Sequence, residues 1–184
     1  MEGAFGWLGN VMEWLGSWFP RLEIVPVTHG GVAFVRGKHV KEIKPGLMLW
    51  WPFWTEIMTY PVVRQSVDLP SQTLTTNDGV PVTVGCVVVY TVDDVVTALT
   101  KQWDLSDTVQ DLCAAAVCEF VTSKEFAWIN GNRTIAKRHL TKEVVAVLSE
   151  YGVAVQGAWL TDFAKTKVIS LLGEGTYADY GDEE

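Results

Sequence analysis

Apolar and polar positions alternate most clearly between residues 80 and 92. The even positions of this segment are all apolar or aromatic: Val80, Val82, Val84, Cys86, Val88, Tyr90 and Val92. The odd positions, which include Pro81, Thr83 and Gly85, are only half apolar. A period of two with this many β-branched residues predicts a strand. Because its second face is still half apolar, we expect another part of the protein to cover it.

Weaker strand patterns precede this segment. Residues 24–36 alternate loosely and are interrupted at Gly30 and Gly31, which predicts a turn or bulge there. Residues 38–44 are charged and predict a connector, and residues 60–69 predict another strand. Residues 47–54 carry no charge at all and include three tryptophans. Two interpretations stay open for them: burial in the core, or contact with a membrane through Leu49, Trp50, Trp51, Phe53 and Trp54.

The period becomes helical after Asp94. Residues 94–101 predict a short helix, and Asp104 is a good N-cap for a second helix that ends near residue 121. Asn132 is expected to cap a third helix, which runs to Tyr151 and ends at Gly152. The side chains expected to point inward are Leu105, Val109, Leu112, Ala116 and Phe120 in the second helix, and Ile135, Leu140, Val144, Val147, Leu148 and Tyr151 in the third. Residues 153–163 predict a closing strand, so the pattern as a whole predicts an α+β fold.

The first part of the third helix has a basic face, made of Arg133, Lys137, Arg138 and Lys142. Such a face is usually no more than a solvated surface. The alternative is a docking site for an acidic neighbour.

The first twenty-two residues predict an amphipathic helix that associates with a membrane. Glu2, Gly6, Gly9, Glu13 and Gly16 recur every three or four positions and form one narrow polar or small stripe. The remaining face is apolar and aromatic: Phe5, Trp7, Leu8, Val11, Met12, Trp14, Leu15, Trp18 and Phe19. Glu13, the four glycines and Pro20 disfavour a spanning helix, and the absence of an early positive charge disfavours a secretory signal. A helix lying in the membrane interface fits best, and docking onto a neighbouring subunit or onto its own domain is the alternative.

Composition and motif content argue against several classes of function. The formal net charge of −8 at pH 7 disfavours a nucleic-acid partner, because duplex binding needs an extensive basic surface. Cys86, Cys113 and Cys118 lack metal-ligand spacing and are expected to be reduced thiols. No nucleotide-binding or hydrolase motif occurs, and the three histidines are scattered. We therefore expect no catalytic residue, no metal and no cofactor, and the protein is not expected to be an enzyme.

An ordered set of short motifs gives the chain a family resemblance. In sequence order these are Pro45-Gly46-Leu47, Trp51-Pro52-Phe53, Val67-Asp68-Leu69, Gln72, Thr75-Thr76-Asn77-Asp78-Gly79-Val80, the valine-rich strand ending at Asp93-Asp94, Tyr151-Gly152-Val153 and Asp162. Over residues 24–163 this set resembles the SPFH (band 7) domain shared by stomatins, prohibitins, flotillins and the bacterial HflK/HflC pair. The resemblance implies a mixed or antiparallel β-sheet with packed helices. The expected organisation is a membrane-associated helix (1–22), an SPFH domain (23–163, strand-rich to about 92 and helix-rich beyond), and a short helix (164–172) within an acidic tail (164–184).

The resemblance also implies a function. SPFH domains are membrane-organising scaffolds, so we expect a protein that assembles with itself into a ring or cage on a membrane patch. The expected partners are membrane lipid, further copies of the chain and a membrane AAA protease. The alternative is an adaptor or regulator that binds a host membrane protease or a host SPFH complex. The expected location is the cytoplasmic face of the inner (plasma) membrane, in a phage or bacterial setting. The sequence after residue 163 departs from the family because it has no heptads for the usual long coiled coil.

Overall fold

The structure, a computed structural model, describes residues 19–166. Seven strands come first: β1 (Arg21–Val25), β2 (His29–Val35), β3 (His39–Ile43), β4 (Gly46–Trp50), β5 (Thr55–Pro61), β6 (Gln65–Thr75) and β7 (Pro81–Val92). Four helices follow: α1 (Val95–Thr100), α2 (Leu105–Thr122), α3 (Phe126–Gly131) and α4 (Arg133–Leu148). A single 3₁₀ turn (Ser149–Tyr151) then leads into the last strand, β8 (Val153–Lys165). The α+β class expected from the sequence is confirmed.

The strands form three small sheets. Their orders are β1–β4, β3–β2–β5 and β6–β7–β8, and the pairs in the described part of the chain are antiparallel. The valine-rich strand β7 lies at the centre of the third sheet, between β6 and β8. Helices α2 and α4 pack on each other and on this sheet. The result is a two-layer unit with the main core between helices and sheet.

The main core is built from the face of β7 that the sequence predicted. Val82, Val84, Cys86 and Val88 are buried there, and Phe120, Leu140 and Leu148 meet them from the helices. The opposite face of β7 is only half-buried, apart from Gly85. This single helix layer explains why one face of β7 is uniformly apolar and the other is mixed.

Two carboxylates begin helices as the sequence predicted. The Asp94 side chain accepts a hydrogen bond from the Thr97 amide, and Asp104 accepts from the amides of Ser106 and Asp107. The hydrogen bonds from Thr97 also lower the pKa of Asp94. These contacts satisfy amide groups that a helix would otherwise leave unpaired at its first turn.

Three strand predictions were wrong in detail. The predicted connector at 38–44 contains β3, an edge strand that pairs with β2 and buries only Ile43, so it lacks an alternating pattern. The predicted strand at 60–69 is divided between β5 and β6, because the chain leaves one sheet for another at residues 62–64. Gly30 and Gly31 do not interrupt β2; a Cβ on Gly30 would lie 2.6 Å from Val95 Cγ2, so this glycine allows β2 to approach α1 closely.

The predicted helix faces also need correction. Ile135 is 44% exposed, and its neighbour Ala136 is fully buried instead. Leu112, Val147 and Tyr151 are half-buried at the margins of the core. The Asn132 side chain makes no capping bond to α4; it donates to the Trp128 carbonyl at the end of α3, because only one residue separates the two helices.

The chain continues as a strand at the point where a further helix was expected. β8 runs on to Lys165, where it pairs with Val82, so the prediction of a helix beginning at residue 164 was wrong. The rest of that predicted helix, 167–172, lies outside the described residues.

Gly152 connects α4 to β8 in a conformation that favours glycine, as the sequence predicted. Its φ is 73°, its carbonyl accepts from the amides of Asp93 and Asp94, and a Cβ would lie 2.5 Å from the Asp94 carbonyl oxygen. We expect Gly152→Ala to lower the free energy of unfolding by at least about 2 kcal/mol, since it combines a left-handed backbone with a steric clash.

Gly79 provides the matched control for this prediction. Its φ is 76°, but a Cβ there would meet nothing within 4 Å. Gly79→Ala should therefore lower the free energy of unfolding by only about 1 kcal/mol, the cost of a left-handed backbone without a steric clash. Urea denaturation of the two variants measures the difference, and equal losses of stability would contradict the role given to Asp94.

Candidate membrane-contact surface

One face of the β1–β4 sheet is entirely aliphatic and exposed. The register pairs Leu22 with Leu49 and Ile24 with Leu47, which places these four side chains on one face of the sheet. They are between 60% and 71% exposed. A contiguous aliphatic patch of this kind on a soluble domain marks an interaction surface.

The turn that follows β4 extends the patch with aromatic rings. Trp51, Phe53 and Trp54 are exposed in this turn, where the amides of Trp54 and Thr55 donate to the Trp51 carbonyl at 3.2 and 3.1 Å. The Arg36 guanidinium lies 5.3 Å from the centre of the Trp54 ring, and the Arg36 amide donates to the Trp54 carbonyl. The turn therefore presents aromatic side chains beside a cation. This combination suits the headgroup layer of a bilayer.

The opposite face of β1–β4 attaches the patch to the rest of the domain. Val25 is buried against Ala33 and Ile43, and Met48 and Ile57 pack partly against these three. This cluster, which we call the small core, is separate from the main core. The four aliphatic side chains on the outer face thus remain exposed while the sheet itself is held in place.

The predicted contact residues divide into four groups. Leu49, Trp51, Phe53 and Trp54 lie together on the exposed patch. Trp50 lies on the inner side of β4, half-buried, and its indole Nε1 is buried without a hydrogen-bond partner. Phe19 is exposed. The others lie outside the described residues: Phe5, Trp7, Leu8, Val11, Met12, Trp14, Leu15 and Trp18.

Sequence reasoning missed part of the patch. Leu22, Ile24 and Leu47 belong to it, and Val27, beyond the end of β1, is also exposed. The only local signal is the alternation of Leu22 and Ile24 with the charged residues Arg21 and Glu23. That alternation indicates a two-faced strand, but the pairing with β4 is needed to show that the aliphatic face is the outer one.

The described residues show few features of a chemical site. Within 19–166 no three His, Cys, Asp or Glu side chains come together in a way that could hold a metal ion. Burial raises the pKa of the Cys86 thiol to about 11 and that of Cys113 to about 12, so both are protonated at neutral pH. A buried thiol without a thiolate is a poor nucleophile. Over the same residues, no helix is long and apolar enough to cross a bilayer.

Fold and surface together define an α+β domain with a hydrophobic, aromatic patch on its β1–β4 sheet and the turn after β4. A family model, the SPFH domain / Band 7 family, matches residues 23–170, which is most of the chain. The chain therefore belongs to the SPFH (band 7) family, as its motifs indicated. A comparison with curated proteins finds no match.

Proposed function

We propose that this protein is a membrane-associated scaffold that assembles with itself into a ring or cage around a membrane patch. The main support for membrane contact is the exposed aliphatic face of the β1–β4 sheet, formed by Leu22, Ile24, Leu47 and Leu49. Fully burying one leucine or isoleucine side chain is worth about 1.5–3 kcal/mol. Four such side chains and the aromatic turn supply enough apolar surface for shallow insertion into lipid.

The amino-terminal segment supplies a second attachment under this proposal. The predicted amphipathic helix (1–22) overlaps β1 at Arg21 and Leu22, so only the residues before β1 are left for it. Their apolar face, with Trp7, Trp14 and Trp18, would lie in the interface beside the patch. Two weak attachments on one chain reinforce each other, because binding of the first raises the effective concentration of the second. Assembly into a closed particle multiplies this effect over many chains.

The action of such a scaffold is mechanical: it delimits a region of membrane and the proteins within it. This activity requires no cofactor, metal or nucleic acid. Membership of the SPFH family supports the membrane role, and a membrane AAA protease would be a protein enclosed by the assembly. The free thiols of Cys86 and Cys113 suit a reducing compartment, which favours the cytoplasmic face of the inner membrane.

The particle mass of the full chain, extracted from membranes in mild detergent, tests the proposal. A scaffold should give one large closed species many times the 20.4 kDa of the single chain. Mass photometry resolves such a particle directly. A monomer or dimer would overturn the scaffold proposal, and the protein would then be an adaptor on a host membrane protease or host SPFH complex.

A further inference from the structure

Trp103 is fully exposed, which is unusual for the largest aromatic side chain. It is 101% exposed in the short loop between α1 and α2. Tryptophan is a strongly buried residue on average, and it is enriched at the energetic centres of protein interfaces. An indole held in water on this loop therefore indicates a contact that forms in an assembly.

The loop that carries Trp103 is well anchored. Lys101 Nζ donates to the Glu150 carbonyl at 2.8 Å, and Gln102 Nε2 donates to the Ala98 carbonyl at 2.9 Å. On the other side, Asp104 caps α2. The indole is thus presented from a fixed backbone, which lowers the entropy cost of binding.

A groove at the other end of α4 has the properties of a receptor for this side chain. It has a volume of about 340 Å³, and its apolar lining includes Ile129, Trp159, Leu160 and Phe163. The two charged residues in its lining, Arg133 and Lys137, are both cations. Lys137 Nζ lies 4.2 Å from the centre of the Trp159 ring, so the groove already holds a cation over an aromatic face.

The surroundings of Trp103 and of the groove are opposite in charge. Asp104, Asp107 and Asp111 are exposed on the first two turns of α2, directly after Trp103. Arg133 and Lys137 line the groove on α4, and among the described residues its lining contains no acidic one. Complementary charge around an apolar contact favours one orientation of the partners and speeds their encounter.

The two surfaces lie at opposite ends of the same helix. The hydrogen bond from Lys101 to Glu150 places the Trp103 loop beside the carboxyl-terminal end of α4, while Arg133 is its first residue. Sixteen residues of α-helix span about 24 Å. One molecule cannot place its own Trp103 in its own groove across this distance, whereas a second copy can.

We propose that Trp103 of one copy inserts into the α4–β8 groove of the next, with α2 carboxylates facing α4 cations. This contact uses different surfaces on the two copies, so it continues from chain to chain and closes a ring when the rotation per subunit permits. The inference rests on the proposed self-assembly and names the interface that builds it.

The first experiment compares particle mass for the full-length wild type, Trp103→Ala and Arg133→Glu/Lys137→Glu, all in mild detergent. Either change should weaken the contact at least about thirty-fold. Trp103→Ala removes a tryptophan from the centre of the interface, and Arg133→Glu/Lys137→Glu reverses the two charges at the groove. Neither change should unfold the chain: Trp103 is outside the core, and Glu near the start of α4 is favoured by the helix dipole. Trp103→Phe should retain part of the assembly. Lys38→Glu/Lys41→Glu, which reverses two exposed charges in the β2–β3 hairpin, should retain all of it.

The decisive experiment mixes the two defective chains. Trp103→Ala keeps an intact groove, and Arg133→Glu/Lys137→Glu keeps an intact Trp103. Each alone should be monomeric, and an equimolar mixture should form dimers of twice 20.4 kDa and nothing larger. Light scattering coupled to size-exclusion chromatography, corrected for detergent, measures this.

Three results would overturn the inference. Trp103→Ala chains that assemble like the wild type would remove Trp103 from the interface. Loss of assembly only in the groove variant would assign the groove to another occupant, such as the acidic residues 174–184. Failure of the mixture to dimerise would refute the pairing of Trp103 with the groove. A wild type that is itself monomeric is a different result, because it refutes the scaffold proposal together with this interface.

Discussion

A chain carrying Leu47→Glu and Leu49→Glu should bind lipid vesicles at least about 100-fold more weakly than the wild type. Each substitution removes an exposed leucine from the β1–β4 face, and burying one leucine in an apolar phase is worth about 1.5–3 kcal/mol. Two such losses amount to about 3 kcal/mol or more, before the cost of placing a carboxylate near lipid. Flotation with neutral phosphatidylcholine vesicles measures the effect without contributions from lipid charge.

The matched control places the same two charges elsewhere. Val40 and Val145 are exposed valines away from the patch, so Val40→Glu/Val145→Glu adds the same charge without touching the β1–β4 face. This control should float like the wild type. If both double variants lost binding equally, net charge and not the patch would govern membrane contact.

Trp14→Glu/Trp18→Glu extends the same experiment to the amino-terminal segment. If the residues before β1 and the patch contact lipid together, this change should also move the protein to the soluble fraction. A chain that carries Leu47→Glu, Leu49→Glu, Trp14→Glu and Trp18→Glu should bind least. If Trp14→Glu/Trp18→Glu stayed bound to membranes to the same extent as the wild type, the amino-terminal segment would not contribute to membrane binding.

Phe120→Ala should lower the free energy of unfolding by about 3–5 kcal/mol. Phe120 is completely buried on α2 in the main core, so its removal leaves a cavity between helices and sheet. A domain of ordinary stability has a free energy of unfolding of about 5–15 kcal/mol, so this substitution would remove a large part of it. Urea denaturation followed by far-UV circular dichroism measures the change.

Ile135→Ala is the control for this second prediction. Ile135 is a large apolar residue on α4, but it is 44% exposed, and its truncation should cost less than about 1 kcal/mol. The measurement should be made on the monomer, so that no partner covers Ile135. A loss there comparable with that of Phe120→Ala would contradict the exposed position of Ile135 on α4.

The elements that the sequence predicted well are those whose determinants are local. β7 shows its inner face directly through alternating valines, and Asp94, Asp104 and Gly152 mark helix ends by their own chemistry. Each of these signals depends on residues only a few positions apart. The same is true of the motifs from which the family was inferred.

The features that the sequence did not predict depend on distant contacts. Ile135 is the more hydrophobic residue, but Ala136 is buried, because α4 lies so close to β8 that Thr141 Oγ1 accepts a hydrogen bond from the Ala158 amide. The exposed apolar patch on β1–β4 was only half found for a similar reason. Leu22 and Ile24 join it through pairing with a strand more than twenty residues further along the chain. No local pattern shows which face of such a pair is turned outward.

The two cores differ greatly in size, and this has a consequence for the mechanics of the molecule. Among residues 19–166, the small core that holds β1–β4 in place has three buried residues, whereas the main core has twenty-four. Local opening costs less free energy where less apolar surface is buried. The β1–β4 end is therefore the more compliant part of the domain. If it contacts lipid as proposed, it could adjust to membrane curvature while the helix–sheet body stays rigid.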